Sequence, residues 1–206
     1  MDLDDARAFR REDETADRLF YSFPRLVLHV DEQTSRALAA WFAANLPPGG
    51  DILDLMSAYA SHLPAAPHFG VVVGLGMNAP ELRANPALGG ALVADINARP
   101  ALPFRDAAFD ACLISFSIQY LIRPVAVFAE IGRVLKPGGS LHVAYSHRLF
   151  PTKAVALWQT GSDADRARLI AAYMQAAGAY ASPGCACPLQ RSSGFDPLYV
   201  VSATKA

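Results

Sequence analysis

The sequence predicts an α/β fold: a doubly wound, mostly parallel sheet with helices on both faces and an antiparallel last strand. Two observations carry this. Five short apolar runs, DILDL (51–55), FGVVVG (69–74), GALVAD (90–95), FDACLIS (109–115) and SLHVAYS (140–146), are spaced by longer connections, several with a helical pattern. Strand, crossover and strand again imply right-handed connections and a sheet covered on both sides. The sixth run, LYVVSATK (198–205), follows a loop and not a helix, so it is expected to return antiparallel.

Taken in order, residues 1 to about 18 are charged and read as weakly ordered, and FYSFPRLVLHV (20–30) joins them to the first helix. That helix, Asp31–Asn45, places Leu38, Trp41 and Phe42 at helical spacing and stops at Pro47-Pro48-Gly49-Gly50, so it should cover one sheet face. A short helix is expected at Pro80–Asn85. A longer one at Pro124–Leu135 has Val125, Phe128, Ile131, Val134 and Leu135 on one face, then the stop signal Lys136-Pro137-Gly138-Gly139. Asp163–Ala177 repeats the pattern with Leu169, Ile170, Tyr173 and Met174.

Length and composition restrict the function classes. At 206 residues, 52% hydrophobic and 18% charged, the chain has the composition of one packed domain and not of a disordered protein. We expect residues 1–46 to form a helical lid or cover, 50–146 a binding core, and 147–206 a C-terminal helix with strands. A formal charge of −1 gives no electrostatic case for nucleic acid. No apolar run reaches the roughly 20 residues that span a bilayer, and the N-terminus lacks an apolar signal core, so a cytoplasmic protein without membrane contact is expected. Cys112 reads as core, and Cys185 and Cys187 as thiols of a Pro/Gly loop. The histidines lack metal-site spacing, and no metal is expected.

The stretch VVVGLGMNAPELRAN (71–85) carries a Gly-x-Gly-x-x-Ala turn, with Asp95 ending the next apolar run. That nearly matches a dinucleotide-binding fingerprint, but the fingerprint belongs after the first strand of its domain, and DILDL already precedes it. The register is wrong for NAD. In an open parallel sheet, ligands lie across the carboxyl ends of the strands, which selects Asp54–Tyr59, Gly74–Asn78, Asp95–Asn97 and Ser115–Tyr120.

Downstream, LPFRDAAFDACLIS (102–115) and EIGRVLKPGGSLHVAYS (130–146) resemble class I S-adenosylmethionine-dependent methyltransferases, specifically the ubiquinone-biosynthesis-like small-molecule branch. The resemblance covers about 50–146 well and the ends loosely. It implies a Rossmann-like seven-stranded sheet and S-adenosylmethionine as cofactor, with S-adenosylhomocysteine as product. It also implies a role for each turn. The first, with Asp54, Met56, Ser57, Ala58 and Tyr59, holds the methionine part. The second, with Gly74, Gly76, Met77 and Asn78, holds the ribose. Asp95 and Ile96 hold the adenine, and Ser115 faces the methyl group.

Two departures stand out. The first turn of the family reads acid-x-Gly-x-Gly-x-Gly, and here Met56, Ala58 and Ala60 replace the glycines. The acid that should end the second strand is absent, with Gly76 in its place, so Asn78 is the expected substitute and the glycines are expected to give the ribose room. Candidate catalytic residues near the acceptor are Tyr21, His29, Gln119, Tyr120 and His147, with Arg25, His62, Arg148 and Lys153 close by. The expected activity is methyl transfer to a small-molecule acceptor. The alternative is a non-catalytic or regulatory protein on the same fold that binds the cofactor weakly or not at all.

Overall fold

The computed structural model describes residues 3, 5–191 and 194–206. The elements run α1 (Asp17–Phe20), α2 (Glu32–Asn45), β1 (Ile52–Leu55), β2 (Val72–Gly76), α3 (Ala79–Ala84), β3 (Gly90–Val93), β4 (Phe109–Ser115), α4 (Pro124–Val134), β5 (Leu135–Tyr145), α5 (Ala156–Gln159), α6 (Asp163–Ala177), β6 (Gly184–Leu189) and β7 (Leu198–Thr204). Short 3₁₀ turns occupy Ile118–Tyr120 and Pro151–Lys153. The strands form one seven-stranded sheet in the order β3-β2-β1-β4-β5-β7-β6. β7 pairs antiparallel with both β5 and β6, and all other neighbours are parallel. Strand order reverses between β1 and β4, which places the topological switch point there.

Two apolar layers hold the sheet. On one face Leu38 and Phe42 of α2 pack with Ile52, Val72, Leu113, Leu198 and Val200. On the other, Val127, Phe128 and Ile131 of α4 and Leu169, Ile170 and Tyr173 of α6 pack on Leu53, Leu55, Cys112, Ile114 and Val143. β1 and β4 are buried on both faces, which is why their sequences show no alternation. Asp31 caps α2 by accepting from the Thr34 amide at 2.9 Å, and Ser162 with Asp165 forms a capping box on α6.

Three features differ from the sequence reading. The Pro/Gly loop expected at Cys185 and Cys187 is instead the edge strand β6, whose Pro188 is tolerated because an edge strand leaves one rim unpaired. β5 begins at Leu135 and not at Ser140: the register against β4 jumps from Phe109↔Leu135 to Ala111↔Ser140, so the Lys-Pro-Gly-Gly stop is a bulge on the strand. The N-terminal stretch is pinned. Backbone amides of Ala156 and Leu157 donate to the Arg10 and Ala8 carbonyls at 2.9 Å, and the Asp13 amide donates to the Thr152 carbonyl at 2.8 Å. Fully buried Lys153 completes the attachment, with Nζ 3.3 Å from carboxylate oxygens of Asp13 and Asp17. Asp17 also pairs with Arg11 at 2.7 Å.

Candidate active site

A cavity of about 350 Å³ opens at the carboxyl ends of β1, β2, β3 and β4, beneath residues 17–29 of the N-terminal segment. Each strand end and the turn after it contribute to the wall: Asp54, Met56, Ser57 and Ala58 at β1, Gly76, Met77 and Asn78 at β2, Asp95, Ile96 and Asn97 after β3, and Ser115 through Ser117 with Tyr120 at β4. The cover adds Tyr21, Arg25, Leu28 and His29, and the segment after β5 adds Arg148, Leu149 and Phe150.

The first turn is held without glycines by a chain of side chains. Asp54, 2% exposed, accepts from the hydroxyls of Ser57 and Ser61, each at 2.6 Å. Asn85 then donates to Ser61 Oγ and to the Ala58 carbonyl, both at 2.9 Å. Burial pushes the Asp54 carboxyl up to about 6, against the lowering effect of the two serines. Met56 takes a left-handed backbone conformation that favours glycine, with φ of 58°. His62 and Phe116 share it at 55° and 56°, so three of the four left-handed non-glycine residues among those described line this cavity. Such conformations cost on the order of 1–3 kcal/mol each and concentrate where a site is over-determined by its surroundings.

The second turn works differently from expectation. The space beside Gly76 holds protein: a Cβ there would lie 2.0 Å from the Ser57 carbonyl oxygen. Gly74 faces Leu88 and lies outside the cavity wall. These glycines admit the first turn and make no room for a ribose. Asn78 lines the cavity, but its polar atoms are engaged: Oδ1 caps α3 by accepting from the Glu81 amide at 3.1 Å, and Nδ2 donates to the carbonyls of Tyr21 at 2.9 Å and Ser22 at 3.3 Å. Glu81, unnoticed in the sequence, enters the same wall. Its signal was position: the third residue of a helix capped by Asn78, hence on the side of that helix facing the strand end.

Around the expected acceptor position the wall is largely aromatic, with Arg25 and two imidazoles beside the rings. Tyr21, Phe116, Tyr120 and Phe150 line it, with the Tyr120 and Phe150 rings stacked at 5.9 Å. Burial, with Arg25 adding to it, lowers His29, and burial holds His62 down to about 4, so both imidazoles are neutral at pH 7. Arg25 lies over the rings of Phe20 and Phe150, 4.9 and 5.2 Å from their centroids. Among the described residues, two buried polar atoms of wall residues have no partner: Ser115 Oγ and Ser117 Oγ. Buried polar groups are ordinarily satisfied, so unpaired atoms at a cavity call for a polar ligand or water. Together with the carboxylates of Asp54 and Asp95, they suit a ligand rich in donors and acceptors such as S-adenosylmethionine.

Four further expectations are corrected. His147 lies outside the wall, its Nε2 3.1 Å from Asp196. Gln119 sits beneath the wall and donates to the Phe116 carbonyl at 2.9 Å. Tyr59 also falls outside it. Lys153 belongs to the ion-pair network of the N-terminal segment. Among the described residues no three His, Cys, Asp or Glu side chains gather as a metal set, and no helix is long and apolar enough to cross a membrane.

Residues 53–143 match the family model described as "Methyltransferase domain". A demethylmenaquinone methyltransferase of Renibacterium salmoninarum is 51% identical over 51 residues, 24% of this chain and 22% of that protein. The chain thus spans under a quarter of that relative's length. Among solved structures, a SAM-dependent methyltransferase from Aquifex aeolicus superposes with a TM-score of 0.60 at 15% identity, covering 85% of this chain and 94% of that one. The [4+2]-cyclase SpnF superposes with a TM-score of 0.59 at 17% identity, covering 84% of this chain and 82% of that one. These likenesses show the fold, and the cyclase illustrates that the fold does not fix the reaction.

Proposed function

We propose, from the premise that the chain belongs to the class I S-adenosylmethionine-dependent methyltransferases of the ubiquinone/menaquinone-like branch, that it methylates a small hydroxylated aromatic acceptor. The observation that carries the reading is the cavity itself. Residues following β1 to β4 form one wall, and an aromatic cover with neutral histidines closes over it. When bound, the cofactor supplies an electrophilic methyl group for in-line displacement.

The protein's share is alignment, exclusion of water and proton removal. Ser57 and Asp54 stand where the methionine part would lie, and Asp95 with Ile96 where the adenine would lie. Tyr120 and Phe150 offer aromatic faces to a planar acceptor. His29, half-buried and neutral, would take the acceptor's hydroxyl proton onto an imidazole nitrogen as the nucleophile forms. Arg25, which lines the same cavity, would favour the oxyanion so produced electrostatically. The name of the Renibacterium relative, which concerns a quinone, is consistent with an aromatic acceptor for this chain.

A second reading, binding without turnover, is favoured by Met56, whose side chain lines the cavity where the family has glycine. Titration with S-adenosylhomocysteine, followed by incubation with S-adenosylmethionine and a panel of hydroquinones and phenols, tests both. Heat on titration and release of S-adenosylhomocysteine with an acceptor are expected. Binding without release on any acceptor favours the second reading, and no heat at millimolar ligand overturns both.

A further inference from the structure

Resting on that cofactor reading, we infer that Glu81 recognises a vicinal pair of hydroxyl groups on the ligand and latches the segment Tyr21–Arg25 over it. Glu81 is 7% exposed and lines the cavity beside Gly76, Met77 and Asn78. Its Oε1 accepts from the Arg25 backbone amide at 2.6 Å, and Oε2 accepts no hydrogen bond among the described residues. Among the described residues no cation pairs with it. The Arg25 guanidinium turns away, donating to the carbonyls of Phe20 at 3.1 Å and Phe23 at 3.4 Å.

Other buried acids of the chain are compensated. Asp17 has Arg11 and Lys153, Asp196 has Arg148, and Asp54 has two serine hydroxyls. A buried carboxylate without such partners is costly unless donors reach it. The cavity is where they can come from, and a pair of adjacent hydroxyls matches a carboxylate's acceptors. Asn78, the residue singled out from the sequence, is unsuited because Tyr21, Ser22 and Glu81 already use its amide. The strand end itself offers Gly76 and Met77, which have no acceptor side chain.

The same helical turn holds the cover. Asn78 binds two of its carbonyls and Glu81 one amide, so three backbone groups of residues 21–25 end on two side chains of α3. A ligand hydroxyl drawn to Glu81 fixes the carboxylate that also fixes Arg25, and binding is thereby coupled to order in the cover.

The test uses the full chain. Glu81→Gln keeps volume and an acceptor for the Arg25 amide but removes the charge. We expect S-adenosylhomocysteine to bind at least tenfold more weakly to Glu81→Gln than to wild type, while its 2′-deoxy analogue binds both alike. Tryptic cleavage after Arg18 and Arg25 should be slowed by S-adenosylhomocysteine in wild type and much less in the variant. Equal affinity of both proteins for S-adenosylhomocysteine, or equal loss for both ligands, overturns the inference. If Glu81→Gln fails to fold, wild type alone reads the claim, because equal affinity for the two ligands overturns it. A wild type that binds no S-adenosylhomocysteine overturns the cofactor reading. The hydroxyl claim is then read on adenosine against 2′-deoxyadenosine, and it fails if they bind equally.

Discussion

Gly76 at the end of β2 abuts Ser57 of the neighbouring turn so closely that an added Cβ would sit 2.0 Å from the Ser57 carbonyl oxygen. The Ser57 amide meanwhile donates to the Leu75 carbonyl at 2.9 Å, so the two strand ends are joined backbone to backbone. The motif that looks like a dinucleotide signature thus serves packing of protein on protein. A Cβ on Gly74 would clash chiefly with Leu88 Cδ1 at 2.5 Å, the tip of a side chain that can turn.

Gly76→Ala is therefore expected to be among the most destabilising single changes in the chain, by about 3 kcal/mol or more, because a backbone carbonyl cannot step aside. Gly74→Ala should cost roughly half that. Urea denaturation of the two variants checks the order. Equal midpoints would show that the first turn moves freely.

Met56 holds φ at 58°, a conformation that disfavours any residue with a Cβ by roughly 1 kcal/mol or more. Its side chain also packs on the core beneath α4 and α6. Comparison of Met56→Gly with Met56→Ala removes the packing equally and leaves the backbone term. Met56→Gly is expected to be more stable than Met56→Ala by ~1 kcal/mol, the reverse of the usual penalty for glycine. Thermal melts decide it, and an alanine variant as stable as the glycine one would mean the turn relaxes to negative φ.

The elements buried on two faces were plain in the sequence because continuous apolar runs such as FDACLIS have few alternatives to a central strand. β6 was hidden: Gly184, Cys185, Cys187 and Pro188 give neither alternation nor β-branched residues, and only pairing with β7 makes it a strand. At the site, the rule that ligands lie at strand ends found the wall residues but not which polar atoms were already spent. Asn78 and His147 read as available because the caps and salt bridges that occupy them join segments far apart in sequence. Glu81 escaped notice for the same reason, since its role comes from the fold placing Arg25 against α3.

Lys153 and Asp17 tie the N-terminal segment to the body of the protein. Lys153 Nζ donates to the Thr15 carbonyl at 2.6 Å as well as pairing with Asp13 and Asp17. Beyond this anchor the cover exposes Leu19, Phe23, Leu26 and Val27, with Phe23 79% exposed, so these side chains do not pack on the core. Lys153→Met breaks one partner of a buried network and is expected to cost about 3–5 kcal/mol. Hydrogen exchange should then rise first at residues 8–17. A variant with wild-type protection there would show that backbone contacts alone hold the segment.

Burial pushes the Asp54 carboxyl up to about 6. Its unfolded value lies near ~3.9, so between these limits the native state holds a proton that the unfolded state has released. Stability from this group is then full below about pH 4 and is lost as pH rises through about 6. The loss is on the order of 3 kcal/mol at ~1.4 per unit. His62 and His142, both held down to about 4 by burial, act with the opposite sign over an overlapping window, so the wild-type profile alone would be blurred. Asp54→Asn isolates the effect, since its amide oxygen still accepts from the serines and the histidines are untouched. The variant's stability relative to wild type should climb by about 2–3 kcal/mol from pH 4 to 7 and flatten beyond. A cation-bearing ligand would favour the ionised carboxylate, so proton release on S-adenosylhomocysteine binding at pH 5.5, read by calorimetry in two buffers of different ionisation enthalpy, is the companion result. A stability difference that stays level across this range would show that Asp54 titrates as an ordinary carboxylate despite its burial.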